Sequence, residues 1–180
     1  MKRLAINKRI DNFKFVLYFL GVCWVAHVVN FFVPIQQYGI HPRSVPGLLG
    51  ILFSPFLHGS FSHLISNSFG LLVFGWALGV VDRKNFIEIT FGVIIMGGLG
   101  TWVFGRTANH IGASGLIFGY FGYLLSLGFF QKKFKYIIVS LLTIFFYGGM
   151  IFGILPSSRY ISFEGHLFGF MAGVLIAKLR

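Results

Sequence analysis

Residues 108–125 read ANHIGASGLIFGYFGYLL, and they place a single serine where a polar loop turns into an apolar segment. A serine in this setting is compatible with three roles: packing of two membrane helices, an N-cap of a helix, or a nucleophile. The rest of the chain decides among these roles. The serine and the glycines around it are Ser114, Gly112, Gly115, Gly119 and Gly122.

The composition indicates a membrane protein. Of the 180 residues 56% are hydrophobic and only 11% are charged, whereas a soluble domain carries roughly a quarter charged residues. The net charge of +11 would ordinarily suggest nucleic acid as a partner. Here the basic residues form short clusters between long apolar runs, which is typical of a multi-span membrane protein. We therefore expect the lipid bilayer, and no nucleic acid, as a partner.

The apolar runs predict an all-α membrane protein with six transmembrane helices in one domain, residues 1–180. Twelve basic residues fall on one side of the predicted membrane, five of them in the N-terminal segment 1–14, and three fall on the other. The positive-inside rule then places both termini in the cytoplasm. The predicted spans are 13–33, 61–81, 86–104, 114–130, 136–155 and 163–179.

The loop between the first two predicted spans, Pro34 to Ser60, differs from the other connections. It is long, rich in proline and glycine, and also apolar in the stretch GLLGILFSPFL. A fully solvated loop has no need of such side chains. We expect short interfacial helices here that lie partly in the membrane.

Polar side chains within predicted spans are costly in lipid, which makes them functional candidates. At about 1.5 Å per helical residue, Ser114 lies about 27 Å above the cytoplasmic edge, Asn67 about 24 Å and His63 about 30 Å. His166 lies roughly 18–21 Å above the same edge. Three different spans thus bring a serine, two histidines and an asparagine to similar heights in the outer half of the bilayer.

Small residues indicate how these groups meet. Gly115 in the fourth span and Gly169 and Gly173 in the sixth lie on narrow faces that let two helix backbones approach closely. If these faces oppose each other, Ser114 and His166 become neighbours and supply a nucleophile and its base. His63, Asn67 and a backbone N–H at the helix start would then supply donors to an oxyanion.

Each of these residues also has a structural interpretation. A serine beside glycine is usually a packing residue, and a histidine near an interface is usually a hydrogen-bonded one. His63 and Asn67, four residues apart on one helix face, could simply tie the long loop to the second span. Glu164 is two residues from His166 and so points elsewhere; we interpret it as interfacial. His110 is expected to form hydrogen bonds within its loop.

Together, these residues resemble the rhomboid family of intramembrane serine proteases, from about Gly39 to the end of the chain. The GxSG motif of that family is matched by residues 112–115, its H-x-x-x-N by His63 and Asn67, and its histidine followed by spaced glycines by His166, Gly169 and Gly173. His58 matches a position that is structural in the family. Phe118 stands where many bacterial members have a tyrosine that stacks beneath the histidine, and the Trp-Arg pair of their first loop is missing.

The resemblance implies a Ser–His dyad without a carboxylate, with Ser114 as nucleophile and His166 as general base and acid, and with His63 and Asn67 stabilising the oxyanion. His58, Gly112, Gly115, Phe118, Gly169 and Gly173 would support the site. The expected substrates are single-span membrane proteins cut near the outer membrane face, in the cell (inner) membrane, by a minimal bacterial type of the family. No metal or cofactor is expected. The alternative is a catalytically silent relative that binds or escorts membrane proteins.

Overall fold

The computed structural model describes residues 2–156 and 161–180, and over these residues the chain is all helical. The all-α part of the predicted fold class is thereby confirmed. The α-helices are α1 (Lys2–Val29), α2 (Val45–Phe53), α3 (Phe61–Val81), α4 (Phe86–Phe104), α5 (Ser114–Gln131), α6 (Phe134–Tyr147) and α7 (Phe163–Lys178). Short 3₁₀ segments cover Ile35–Tyr38, Ser54–Phe56 and Gly148–Ile154.

Among the described residues, five helical segments are long and apolar enough to cross a membrane. The sixth predicted span corresponds to α7, whose 16 residues extend about 24 Å. The six-span count and the cytoplasmic termini therefore stay predictions. The five segments are Asp11–Val29, Phe61–Val81, Phe86–Phe104, Ser114–Gln131 and Phe134–Ile154.

Two predicted spans end several residues earlier in the structure. The first was expected to reach residue 33, but α1 ends at Val29. Pro34 disfavours helical backbone at the residue before it, so the chain leaves the helix early. The fifth was expected to run to 155, but α6 ends at Tyr147, where two successive glycines weaken the helix, and continues as a 3₁₀ segment.

Helix α5 forms the centre of the bundle, and α6 lies at its edge. In α5, 67% of the spanning residues are buried, against 11% in Phe134–Ile154. Helices α3, α4, α6 and α7 all pack against α5, whereas α1 packs on α3 and α2 on α4. The helix that begins with Ser114 is thus enclosed by protein.

The α5–α7 contact is the most extensive in the bundle, and glycines face each other across it. A Cβ atom at Gly169 would overlap the Gly115 carbonyl oxygen, and one at Gly173 would overlap the Gly119 carbonyl oxygen. Backbone-to-backbone packing of this kind is typical of small-xxx-small faces in membrane helices. It holds the first turns of α5 and α7 side by side.

The first loop contains helix α2 and two 3₁₀ segments, in keeping with the expectation of short helices; their depth in the bilayer stays a prediction. Ile51 of α2 packs on Gly98 of α4. Ile40 and His110 pair as an isolated antiparallel bridge, with N–O distances of 2.9 and 3.0 Å. The loop is thereby fastened to the segment that precedes Ser114.

Candidate active site

Ser114 and His166 form a direct hydrogen bond across the α5–α7 contact. The distance between Ser114 Oγ and His166 Nε2 is 2.8 Å. The other ring nitrogen, Nδ1, lies 2.9 Å from the carbonyl oxygen of Gly153. A carbonyl oxygen can only accept, so Nδ1 carries the proton and donates it there. In the neutral ring Nε2 is therefore the acceptor for the Ser114 hydroxyl, which is the arrangement that a general base requires.

Phe118 lies one turn after Ser114 and supports the imidazole from one side. Its ring is parallel to that of His166, with centroids 4.1 Å apart and an angle of 7° between the planes. The Cζ atom of Phe118, which would carry the hydroxyl of a tyrosine, lies 2.5 Å from the position that a Cβ on Gly153 would occupy. The ring thus fits between His166 and a residue without a side chain.

Gly112 lies two residues before the serine and has a backbone φ of +115°. A residue with a side chain is strained in this conformation. A Cβ at this position would also lie 2.6 Å from Nε2 of His63. The N–H of Gly112 donates to the carbonyl oxygen of Ser54 at 2.8 Å. Glycine at this position therefore lets the His63 ring lie against the backbone that leads to Ser114.

His63 and Asn67 face the same open cavity as the Ser114–His166 pair, a space of about 820 Å³. Asn67 is 4% exposed, and its Nδ2 donates to the His63 carbonyl oxygen at 2.8 Å. The amide group has a second N–H for another acceptor. The N–H of Ser114 lies in the first turn of α5, where a helix has no acceptors of its own. The cavity therefore collects hydrogen-bond donors beside the serine.

His58 is buried behind His63, with the two ring centroids 5.0 Å apart. Its Nδ1 lies 3.3 Å from the Phe56 carbonyl oxygen, and its own carbonyl oxygen is 3.3 Å from Nδ1 of His27 in α1. Burial, assisted by the neighbouring His63, lowers the pKa of His58 to about 4. The ring therefore stays neutral at ordinary pH and joins the first loop to the start of α3.

A second, apolar groove of about 260 Å³ reaches Ser114 from between α3 and the end of α6. Phe69, Gly70 and Val73 of α3 line one wall, and Tyr147 and Met150 line the other. The two spaces meet at the serine, so Ser114 is accessible both from a polar cavity and from an apolar groove between helices.

Sequence patterns did not predict several contacts at the site. His110 was expected to bond within its loop, and its Nε2 does lie 3.0 Å from the Arg106 carbonyl oxygen. Its Nδ1, however, reaches Ser162 Oγ at 2.6 Å, and Ser162 caps α7 by accepting from the N–H of Gly165. Burial lowers the pKa of His110. The serine three residues before Gly165 was the one available signal, as an N-cap residue ahead of an apolar run.

Glu164, interpreted as interfacial, is 5% exposed. One carboxylate oxygen accepts from the backbone N–H of Arg106 at 3.2 Å and lies 3.7 Å from the Arg106 Nε. The side chain thus joins the start of α7 to the loop before Ser114. It points toward Arg106, as expected of a residue two positions from His166.

Comparison with known proteins identifies the family of the chain. The Rhomboid domain family matches residues 46–180. The uncharacterized protein Rv1337 of Mycobacterium tuberculosis is 40% identical over 150 residues, which are 78% of this chain and 62% of that protein. The uncharacterized protein ML1171 of Mycobacterium leprae is 33% identical over 175 residues, 91% and 69% of the two chains. The "Putative rhomboid protease YdcA" of Bacillus subtilis is 33% identical over 132 residues, 68% and 62%.

The fold and these matches define the class: an all-helical, multi-pass membrane protein. The chain belongs to the rhomboid family, as the resemblance in its motifs predicted. It spans 62% of the length of the Mycobacterium tuberculosis relative.

Proposed function

We propose that this chain is an intramembrane serine endopeptidase that uses Ser114 and His166 as a dyad. The observation that supports this most is the hydrogen bond of 2.8 Å between Ser114 Oγ and His166 Nε2, in a ring whose other nitrogen donates to the Gly153 carbonyl oxygen. This pattern leaves Nε2 free to accept the serine proton. Family membership supports the same reaction class.

The reaction follows acyl-transfer chemistry. His166 Nε2 takes the proton of the Ser114 hydroxyl as Oγ attacks the carbonyl carbon of a substrate peptide. The tetrahedral intermediate collapses, the peptide C–N bond breaks, and His166 gives the proton to the leaving amine. A water molecule then attacks the acyl carbon while His166 Nε2 takes one of its protons. The second intermediate collapses, the bond between the acyl carbon and Ser114 Oγ breaks, and His166 returns the proton to Oγ.

The negative oxygen of both intermediates requires donors that are already in position. The N–H of Ser114, the second N–H of Asn67 and the imidazole of His63 are available around the cavity. We assign them to this role. His58 and Gly112 support them, since His58 packs against His63 and Gly112 leaves room for the His63 ring.

The acceptor for Nδ1–H is a peptide carbonyl, whereas soluble serine proteases use a carboxylate. An ionised carboxylate buried here would need a charged or hydrogen-bonding partner, as Glu164 has in Arg106. A backbone carbonyl carries no charge, and its position is set by the chain that follows α6. We assign Gly153 as a positioning residue for His166, together with Phe118.

The substrates we propose are single-span membrane proteins. The apolar groove between α3 and the end of α6 reaches the serine, so an apolar segment can lie in it while the scissile peptide enters the polar cavity. The substrate helix must be unwound at the scissile bond, because in a helix the peptide carbonyl groups accept hydrogen bonds from N–H groups four residues later. Water reaches the acyl-serine from the polar cavity.

Cleavage by purified protein in liposomes tests the proposal, with a panel of single-span substrates and a serine-directed phosphonate as a covalent probe. We expect the wild type to cleave at least one substrate and to be labelled at Ser114. Ser114→Ala and His166→Ala should each remove cleavage, since loss of either group in a soluble serine protease lowers kcat by about 10⁶.

Ser126→Ala is the matched control. Ser126 is a buried serine of the same helix, and its hydroxyl donates to the Gly122 carbonyl oxygen at 2.7 Å. This variant should retain cleavage and labelling. Unchanged cleavage in Ser114→Ala would overturn the dyad. A wild type that binds substrates but neither cleaves them nor reacts with the probe would support the alternative, a protein that binds or escorts membrane proteins.

A further inference from the structure

His110 contacts three parts of the chain at once. Its backbone pairs with Ile40 of the first loop. Its ring joins the Arg106 carbonyl oxygen, at 3.0 Å from Nε2, to Ser162 Oγ, at 2.6 Å from Nδ1. The residue is 3% exposed. It lies four residues before Ser114, in the segment that sets where the serine stands.

The partners fix the roles of both ring nitrogens. The Arg106 carbonyl oxygen can only accept, so Nε2 carries the proton in the neutral ring. Nδ1 is then an acceptor, and the Ser162 hydroxyl donates to it. The same Ser162 oxygen accepts from the N–H of Gly165 at 3.2 Å, as the N-cap of α7. The donor and the acceptor of each of these three hydrogen bonds are therefore defined.

The link joins the two elements that carry the reacting groups. Ser162 is the cap of α7, and His166 lies four residues later on the same helix. His110 is in the loop that ends at Ser114. The glycine faces hold α5 and α7 side by side, but a smooth glycine face does not by itself prevent one helix from sliding along the other. A directional hydrogen bond at the helix starts supplies such a constraint.

We propose that His110 is a positioning residue, which holds the start of α7 against the serine loop through Ser162 and thereby sets the distance between Ser114 Oγ and His166 Nε2. The proposal rests on the proposed protease function. A displacement of about 1 Å at a catalytic pair can cost about 10²-fold in rate. Loss of the link should therefore act on kcat, with KM for the substrate little changed.

Two variants of similar size separate positioning from general support. In His110→Asn the side-chain oxygen stands near the place of Nδ1 and can accept from Ser162, while the bond to Arg106 is lost. In His110→Gln the longer amide group reaches the Arg106 carbonyl oxygen and leaves Ser162 without its acceptor. Each variant loses one hydrogen bond, so both should lose similar thermal stability.

We expect kcat of His110→Gln to fall about tenfold or more, whereas His110→Asn stays within about threefold of the wild type. The rate of Ser114 labelling by the phosphonate should follow the same order. Ser162→Thr, which keeps a hydroxyl, should stay near the wild type. In the double variant of His110→Gln and Ser162→Ala, the second change should add little to the first, because both remove one interaction.

His41→Ala is the control, since the His41 ring bonds only to the Gln37 carbonyl oxygen within its own loop among the described contacts. It should match the wild type. Equal kcat in His110→Gln and His110→Asn, whether both low or both normal, would overturn the proposal. A wild type without Ser114-dependent cleavage would instead overturn the proposed function, so the two failures are distinguishable.

Discussion

The phenyl ring of Phe118 lies parallel to the imidazole of His166, 4.1 Å away, while the carbonyl oxygen of Gly153 holds the Nδ1 edge of that imidazole. The ring is thus held at one face and at one edge. Its remaining nitrogen points at Ser114. His166 is thus oriented by the Phe118 ring and by the Gly153 carbonyl group, and the two contacts can be tested separately.

Phe118→Leu should lower kcat about tenfold or more, because a branched aliphatic side chain cannot offer the imidazole a flat surface. KM for a membrane substrate should change little. Steady-state cleavage at equal amounts of folded protein measures this. Phe86→Leu, at the start of α4, controls for loss of a buried aromatic ring, since the Phe86 ring packs on Phe15 and Tyr120 and not on the site. If Phe118→Leu turned over as fast as the wild type, stacking would have no part in orienting His166.

Gly153→Ala should reduce turnover by a similar factor, because the added methyl group would meet Phe118 Cζ at 2.5 Å and displace either the ring or the carbonyl group. Gly149→Ala is the matched control in the same 3₁₀ segment, where a Cβ has open space around it. The comparison requires cleavage rates and phosphonate labelling rates of both variants. Equal rates for both would show that the close contact at Gly153 is dispensable.

Asn67→Ala and His63→Ala should each slow cleavage while leaving it measurable, since the oxyanion donors are shared. Loss of one such donor in a soluble protease costs about 10²–10³ in kcat. His63→Ala should be the more severe variant, because His63 also packs on His58 and Gly112. Ser68→Ala, on α3 but bonded to Trp24 of α1, is the control. Wild-type kcat in both variants at saturating substrate would return this pair to a purely structural role.

Val73→Trp should raise KM for a single-span substrate by filling the apolar groove between α3 and the end of α6. Labelling of Ser114 by a small phosphonate should fall much less, because the polar cavity stays open. Ile95→Trp, on the exposed side of α4, is the control for a bulky residue in lipid. Equal losses for the large substrate and the small probe would contradict entry of the substrate along this groove.

Acid should weaken the fold through His58. Burial lowers its pKa to about 4, from an ordinary value of 6.5. Between these values the unfolded chain binds more protons, so the free energy of unfolding falls as the pH drops from 6.5 toward 4. The full shift corresponds to up to roughly 3 kcal/mol. His110, whose pKa is also lowered by burial, contributes in the same direction.

Unfolding in detergent at pH 7 and pH 4.5 measures this effect. His58→Phe, which removes the titrating ring and keeps a buried aromatic side chain, should reduce the difference in stability between the two pH values. His41→Phe is the control and should leave the difference as it is. An unchanged difference in His58→Phe would mean that other groups account for the acid response.

The sequence was sufficient to predict the helices wherever length and apolarity alone decide them. The structure places α3 at 61–81 and α4 at 86–104, the residues predicted, because charged or glycine-rich turns bound those runs on both sides. The matched glycine spacing predicted that α5 and α7 touch, since close backbone approach leaves few alternatives. The rhomboid family followed from motifs that appear in order along the chain.

The remaining features depend on contacts that cannot be inferred from residue types. Every residue has a carbonyl group, so the sequence could not single out Gly153 as the partner of His166. The bond between His110 and Ser162 joins residues 52 positions apart, and each side chain also has a sufficient local explanation. Glu164 was interpreted as interfacial, but it is buried in the structure. Its burial depends on Arg106, which lies against the start of α7, and the sequence does not show this contact.

The glycine faces of α5 and α7 also bear on how the molecule loses activity. With Gly115 against Gly169 and Gly119 against Gly173, the two helices lack side chains that could repack in an alternative arrangement. Together with the bond between His110 and Ser162 at the helix starts, this close packing leads us to expect that Ser114 and His166 keep their relative position. Heating should leave the pair intact until the whole bundle melts, so inactivation and unfolding should share one midpoint. If the chain cleaves as proposed, we expect substrate entry to depend on movement of α6, since only 11% of the span Phe134–Ile154 is buried, while Ser114 and His166 keep their geometry.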